Sequence, residues 1–468
     1  MGFYAAKIRL WRHFNEAEHL KRCLHNKSNR RVKHESQVTR SRHFLFLQGP
    51  ASPFLRRLAQ HLEAHGCRVT KVNFCLGDVI FWRGKGCFYR GCNSDWPDWL
   101  ASLIRRRGVT DLLMLGDGRD KHAAAIDIGR ALGLGVHIFE HGYLRPDWLT
   151  VEPFGMSSQS CFPANPAAIR ALAEKAPPLP SHAAFPSSFL VYALSDLVYH
   201  IPNVLLGFLL HPHYQTHGAV HPAVEYGGWI WKGMRRHARR RDAERIASTI
   251  VEEAKTNDIF LFPLQLPGDY QIRRHAPGGD LFRILEAVLV SFARHADPHA
   301  RLLFKVHPID NGLQNWNGRI GTMARRLNVA DRVDVIDGGD LGHLIQLSRG
   351  LVTVNSTVGL TALQAGCPVI ALAPAIYDVP GLTHQGSLAT FWCNRTPPDP
   401  ELLDGLVRAM AATIQVRGGF LGKEAIAEGA KAMAERLLNT MQDVADRPSP
   451  ERAHFRYAQE LADLLDRR

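Results

Sequence analysis

The chain has 468 residues, of which 46% are hydrophobic and 22% charged. That composition supports a sizeable core and excludes wholesale disorder, collagen and a sustained coiled coil. Lys and Arg number 57 against 44 Asp and Glu, a net charge of +13, which favours anionic partners: nucleic acid, acidic lipid, or phosphorylated and carboxylated small molecules. Residues 1–42 hold eleven Lys/Arg against three Glu and read as a basic N-terminal arm. Regular structure is expected from residue 43. An apolar strand over 43–48 ends at Gly49-Pro50, Ser52 can cap a helix over 53–65, and Gly66 ends it. A strand over 67–74 follows, then a hairpin of 78–82 and 86–90 across Gly84, a helix over 96–107 and a strand over 111–115. A helix over 119–132 and a strand over 135–139 complete the series. Strands alternating with helices at this spacing imply right-handed βαβ units and a parallel sheet.

From 152 to 257 the rhythm breaks. A Pro-rich piece (176–180) precedes an apolar, aromatic-rich stretch over 189–210 and a dense Lys/Arg cluster over 229–245. A second βα series then runs through strands at 259–264, 301–306, 332–336, 351–355 and 368–372. Helices follow Pro400. The organisation expected is a basic arm (1–42), a first Rossmann-like lobe (43–165), an irregular insertion (166–256), a second Rossmann-like lobe (257–395) and C-terminal helices (396–468). Ligands should lie in the cleft outside the carboxyl ends of the strands.

Eight cysteines without a CxxC pair read as reduced thiols rather than a disulfide or zinc framework. The first ten residues lack an apolar signal core, and the longest apolar stretch, 201–210, is too short for a membrane span. His211, His213, His217 and His221 read as loop histidines rather than metal ligands. No DxD pair is present, so no metal site is expected.

Chemistry should concentrate at strand-to-helix junctions. Asn355, Ser356 and Thr357 offer donors ahead of a helix, an arrangement suited to a phosphate, although Ser356 or Thr357 could be a simple cap. Lys305 and His307 sit at the neighbouring strand end, where Pro308 halts the strand. Asp269 follows a third, on a Pro267-Gly268 turn where an attacking carboxylate or an ordinary turn former could stand. In the first half, Glu140, His141 and Arg145 lie within six residues. Gly116-Asp117-Gly118-Arg119 and Gln48-Gly49-Pro50 close two further strands. No GxGxxG or GxxxxGK[ST] is present.

Taken in order, these segments resemble a known family. Gln48-Gly49-Pro50, Asn73-Phe74, Gly77-Asp78 and Glu140-His141-Gly142-Tyr143-Leu144-Arg145-Pro146-Asp147-Trp148 carry the first half. Pro263-Leu264-Gln265, Asp269-Tyr270-Gln271-Ile272, Lys305-Val306-His307-Pro308 and Asn355-Ser356-Thr357-Val358-Gly359-Leu360 carry the second. Ile376-Tyr377-Asp378, the segment Pro380-Gly381-Leu382-Thr383-His384-Gln385-Gly386-Ser387-Leu388 and Phe391-Trp392 extend it. Over about residues 43–395 the chain resembles capsule polysaccharide export/biosynthesis proteins of the KpsS type, relatives of the bacterial β-Kdo transferases.

The resemblance implies an α/β, GT-B-like fold of two Rossmann-like lobes with a central cleft and C-terminal helices. It implies retaining transfer of 3-deoxy-D-manno-oct-2-ulosonic acid (Kdo) from CMP-Kdo, without metal or other cofactor. The acceptor implied is a lysophosphatidylglycerol-type lipid, at the cytoplasmic face of the inner membrane, within a capsule export or biosynthesis complex. Asp269 is carried over as the nucleophile. Lys305, His307, Asn355, Ser356, Thr357, Gln265 and Arg145 are the donor-binding candidates, and Gln48, Gly49, Asp117 and Arg273 additional cleft residues. His141 replaces the acidic residue expected there. Glu140 remains as the first-lobe carboxylate for general base or acid work, with His141 beside it in the catalytic group. The other departures are a missing Cys after Asp117 and Ala276 where Ser is expected.

The 189–210 stretch fits contact with lipid tails, and Lys232, Arg235, Arg236, Arg239, Arg240 and Arg241 fit anionic headgroups. A core helix and a solvated basic face is the alternative. The rival functions are a non-catalytic capsule export or assembly protein and a transferase for another CMP-sugar. A nucleic-acid partner is not expected, since no recognised module is present.

Overall fold

A computed structural model describes residues 41–179, 184–186, 188–216, 220–439, 452 and 455–466. The expected basic arm therefore lies, up to residue 40, outside the described residues, as does His217. Ser41 and Arg42 join the first lobe: Ser41 Oγ donates to the Gly66 carbonyl at 2.8 Å and Arg42 Nε to Asp111 Oδ2 at 3.2 Å.

The first lobe is built from β1 (His43–Phe46), α1 (Phe54–Ala64), β2 (Arg68–Asn73), α2 (Leu76–Trp82), β3 (Cys87–Phe88), α3 (Trp96–Arg107), β4 (Asp111–Leu115), α4 (Asp120–Ala131), β5 (Gly135–His141) and β6 (Trp148–Pro153). An insertion follows: α5 (Pro166–Lys175), α6 (Phe189–Leu210), α7 (Pro222–Met234) and α8 (Arg236–Glu253). The second lobe contains β7 (Ile259–Pro263), α9 (Tyr270–His275), α10 (Leu281–His295), β8 (Arg301–Lys305), α11 (Trp316–Arg326), β9 (Val333–Ile336), α12 (Leu341–Leu347), β10 (Gly350–Thr353), α13 (Val358–Gln364), β11 (Val369–Ala371) and α14 (Leu388–Phe391). The chain ends through α15 (Pro400–Thr413), β12 (Gln415–Arg417), α16 (Lys423–Leu438) and α17 (Ala458–Asp466).

The first sheet runs β12-β6-β5-β4-β1-β2-β3 and the second β11-β10-β7-β8-β9. Strands β1 to β5 are parallel, as are β7 to β11. Each five-strand set has the Rossmann order 3-2-1-4-5, so the fold is α/β with two Rossmann-like lobes, GT-B-like as expected. The strands are short unbroken apolar runs because helices cover both faces. In the first lobe α1 and α16 pack on one face, and α3 and α4 on the other. Each order reverses at one place, between β1 and β4 and between β7 and β10, and the tips there are where ligands belong.

Several elements differ from the sequence reading. The expected hairpin over 78–90 is helix α2 followed by β3, which pairs parallel to β2. The reason is a cap from far along the chain: Asn203 Oδ1 accepts from the N–H groups of Leu76 (2.8 Å) and Gly77 (3.2 Å), satisfying donors at the helix start that no local side chain reaches. Strand β6 pairs antiparallel to β5, and α9 was not foreseen. The C-terminal region is not helical throughout. Its β12 pairs antiparallel to β6 and returns the chain to the first lobe. Gly418 (φ +141°) follows it, where a Cβ would stand 2.1 Å from Gly429 Cα, so a side chain there would push α16 off the sheet.

The insertion is helical rather than irregular. Asp196, His200 and Pro202 interrupt the apolar run in α6 without ending the 22-residue helix. That helix is long and apolar enough to cross a membrane by length and composition, which corrects the shorter stretch read from sequence. Its buried residues Tyr199 and Asn203 bond to the first lobe, Asp196 accepts from the Tyr226 hydroxyl of α7 at 2.9 Å, and most of its large apolar side chains are exposed.

Candidate functional site

At the second-lobe reversal, the β7 and β10 tips are locked by amides. Gln265 Nε2 donates to Asn355 Oδ1 at 3.0 Å, and the Asn355 N–H returns to Gln265 Oε1 at 3.3 Å. Asn355 Nδ2 also donates to the Gln271 carbonyl at 3.2 Å. The Pro267-Gly268 turn brings Asp269 to the start of α9, where its carboxylate accepts from the Gln271 N–H at 2.9 Å as an N-cap. Burial pushes the Asp269 pKa up, against the pull of that N–H, of Gln265, and of the His307 and His275 rings.

Helix α9 belongs to the second lobe by sequence but is docked on the first. The His275 ring pairs with Asp117 Oδ1 (3.2 Å) through Nε2 and with Ser158 Oγ (2.7 Å) through Nδ1. Ser157 Oγ donates to Gln271 Oε1 at 2.6 Å. Gly118 leaves room for Tyr270, whose Cβ would lie 2.5 Å from an added methyl. Asp117 also accepts from the Met156 N–H at 3.0 Å. Burial pushes the Asp117 carboxyl up, but the His275 hydrogen bond and charge outweigh it, and its pKa lies below the ordinary value.

Opposite Asp269, at the tip of β5, stands Glu140. Its Oε1 accepts from the His141 N–H at 3.0 Å. Burial raises its pKa and the Asp269 charge raises it further, while the His141 N–H, Arg119 and Arg145 oppose. Arg145 lies within electrostatic reach of both carboxylates. His307 completes the group. Its Nδ1 accepts from the Ile309 N–H at 3.3 Å, and burial lowers its pKa while Asp269 pulls it up and Arg145 pushes it down. Glu140 and Arg145 from one lobe therefore meet Asp269 and His307 from the other.

The remaining candidates are engaged by other partners. The Lys305 ammonium donates to the carbonyls of Gly338 (2.6 Å) and Gly339 (3.2 Å), bracing the loop after β9. Burial lowers its pKa against the attraction of Asp337 and Asp340. Gln48 Nε2 donates to the hydroxyls of Tyr199 (2.6 Å) and Tyr214 (3.2 Å), so it anchors α6. Gly49 makes room for Leu55, which an added Cβ would meet at 2.3 Å. Arg273 is exposed, its guanidinium 5.3 Å from the Tyr270 ring centre. Ser356 Oγ accepts from the Val358 N–H at 3.2 Å, its carbonyl accepts from the Tyr377 hydroxyl at 2.5 Å, and Thr357 precedes α13, a helix of only seven residues. The His141 ring points to a separate cavity, edge-on to Phe420 at 4.8 Å between centres. Its surroundings and the Arg145 charge push it down to about 4, although part of the side chain is open to solvent.

One residue, named in the sequence only as part of the Gly116-Asp117-Gly118-Arg119 strand closure, belongs with this group. Arg119 follows the β4 tip, acts on Glu140, and has a buried Nη1 without a hydrogen-bond partner. It lines a small cavity of about 80 Å³ with Gln48, His122, Tyr214 and Tyr270. The signal was positional: it is the first cation after the Gly-Asp-Gly turn at the topological reversal.

Chemically, two carboxylates of raised pKa lie within electrostatic reach of each other and of cationic or imidazole groups. Such a pair can divide the roles of nucleophile and proton carrier, and the cations suit a ligand carrying phosphate and carboxylate.

Comparison with known proteins gives a consistent family. Residues 110–421 match the model described as "Capsule polysaccharide biosynthesis protein". The capsule polysaccharide export protein KpsS of Escherichia coli is 28% identical over 367 residues, 77% of this chain and 92% of that protein. The capsule polysaccharide modification protein LipB of Neisseria meningitidis serogroup A is 30% identical over 386 residues, 80% of this chain and 91% of that protein. Among solved structures, the β-Kdo 2,7 transferase KpsC of Thermosulfurimonas dismutans aligns with a TM-score of 0.40 and 15% identity, covering 85% of this chain and 99% of that one.

Proposed function

Since this chain belongs to the capsule polysaccharide biosynthesis family, we propose that it is a retaining glycosyltransferase moving Kdo from CMP-Kdo onto a lysophosphatidylglycerol-type lipid. The observation that carries the reading is the approach of Asp269 and Glu140 from opposite lobes, where the Asp269 charge raises the Glu140 pKa, with Arg145 reaching both carboxylates, Arg119 reaching Glu140 and His307 reaching Asp269.

In the first step the Asp269 carboxylate attacks the anomeric carbon opposite the phosphate. The carbon–oxygen bond to phosphate breaks and CMP leaves with the electron pair, giving a glycosyl ester on Asp269. Arg119, Arg145 and His307 offset the charge growing on the departing phosphate and hold the sugar carboxylate. In the second step Glu140 takes the proton of an acceptor hydroxyl, whose oxygen displaces Asp269 and restores the original configuration. The donor carries one phosphate and one carboxylate, both matched by side chains of this site, and no metal is assigned a step.

The insertion supports work at the inner face of the inner membrane. Helix α6 presents Phe189 (69% exposed), Leu205 (62%), Phe208 (74%) and Leu209 (68%), and α7 adds Ile230 and Trp231. Beside them Arg235, Arg236 and Arg241 are exposed, each contributing about 1 kcal/mol near an anionic surface. Lys232, Arg239 and Arg240 are excluded from that count. Lys232 donates to the Asp310 carbonyl at 2.5 Å, Arg239 pairs with Asp337 at 2.6 Å, and Arg240 pairs with Glu244 at 2.8 Å.

The test is mass spectrometry of the product formed from CMP-Kdo and a lysophosphatidylglycerol. One Kdo on the lipid supports the proposal. Transfer only from a different CMP-sugar replaces the donor, and no transfer from any CMP-sugar in the presence of lipid removes the enzyme reading.

A further inference from the structure

A cavity of about 370 Å³ opens on the first lobe beyond the tip of β5. Trp148, Leu149, Phe185, Phe189, Tyr192 and Phe420 form most of its wall; its polar groups are His141, Ser188 and Asp147, whose Oδ2 accepts from the Phe185 N–H at 3.0 Å. A nucleotide or sugar needs several directed donors, which such a wall does not offer, whereas an unbranched hydrocarbon needs none. The lining also does not stop at the cavity. Phe189 and Tyr192 belong to it and are 69% and 43% exposed on α6, so the apolar surface runs without a break from the outer face of that helix into the pocket. His141 forms part of the wall, and its N–H donates to Glu140 Oε1, one residue along β5 from the carboxylate assigned to deprotonate the acceptor. Ligand cavities run from ~300 to 1,000 Å³, and this one stands at the end suited to a single chain.

We infer that this cavity takes the one acyl chain of the lysophospholipid acceptor, drawn from the bilayer along α6, and thereby sets its glycerol headgroup beside Glu140. The inference rests on the acceptor named above. It also gives a physical reason for a single-chain lipid: a second chain finds no room in the same pocket, while one chain holds a lipid in the membrane only marginally and so exchanges readily.

The test uses the full chain with a lysophosphatidylglycerol carrying a photoactivatable diazirine in mid-chain, without sugar nucleotide, followed by peptide mapping. The expected result is labelling within 185–192 and 418–425, competed by unlabelled lysolipid. Ala425→Trp, which fills the pocket from α16, reduces it by about tenfold or more. If that variant does not fold, Tyr192→Asp at the exposed mouth serves in its place. Labelling confined to the outer positions Leu205, Phe208 and Leu209, or labelling insensitive to the filling variant, overturns the inference. A parallel transfer assay separates the two readings. Pocket labelling without transfer from CMP-Kdo leaves the acyl site standing and removes the proposed activity, and transfer without pocket labelling does the reverse.

Discussion

The two reversal points have the same topology and opposite chemistry. In the second lobe, the tips of β7 and β10 satisfy each other: Gln265 and Asn355 exchange hydrogen bonds, Ser356 caps locally, and Lys305 is held by backbone carbonyls. In the first lobe, Glu140, Arg145 and Arg119 bring charge to the crevice, and one guanidinium nitrogen of Arg119 is buried without a partner. The difference teaches that a conserved strand order locates a ligand site without saying which side supplies its charge. Here the second lobe supplies a rigid mount for Asp269, and the first supplies most of the cations around it.

The sharpest way to break this comparison is Asp269→Asn. Asparagine caps a helix as well as aspartate does, so the melting temperature should hold while transfer falls by roughly 10³-fold or more. Normal turnover by the purified variant ends the nucleophile assignment. Next comes the strut between the lobes. His275→Ala leaves the Asp117 carboxylate buried with a single N–H donor, and should cost about 3 kcal/mol in a denaturant titration. An unchanged midpoint means that α9 is held by other contacts.

Arg119→Ala should lower kcat/KM for the donor by about 10- to 100-fold with little change in stability. Lys305→Met should do the opposite, losing stability with donor affinity changed by less than about threefold. If the two variants exchange behaviours, the contrast between the lobes is reversed. The mildest effect concerns pH. Both site carboxylates are pushed up by burial, and the proposed mechanism uses both ionised, so activity should be present above their raised pKa values and lost as pH falls through them. The acid limb therefore lies above the ordinary carboxylate range of about 4. Glu140→Gln removes a negative neighbour, so single-turnover CMP release should persist and its acid limb should move to lower pH. A limb that moves upward contradicts the pairing.

Most of the sheet framework was legible because buried parallel strands are short apolar runs closed by Gly or Pro, as at β1, β4 and β8. The misreadings share one cause: a partner distant in sequence. Helix α2 depends on Asn203, Gln48 is captured by Tyr199 and Tyr214, and Lys305 by carbonyls beyond β9. None of these follows from residue type or spacing. Asp269 was legible as a position, because Pro267-Gly268 announces a turn at a strand tip, but its attachment to the first lobe through α9 was not. Strand β12 stayed hidden because three residues between helices carry too little pattern to register.

That attachment has a mechanical consequence. The turn bearing Asp269 is bolted at one end to its own jaw by Gln265 and Asn355, and at the other to the opposite jaw by His275 and Ser157. Prising the jaws apart must shear one of these bolts, so breathing of the molecule is geared directly to where the Asp269 carboxylate sits, and the crevice cannot gape while that carboxylate stays aimed.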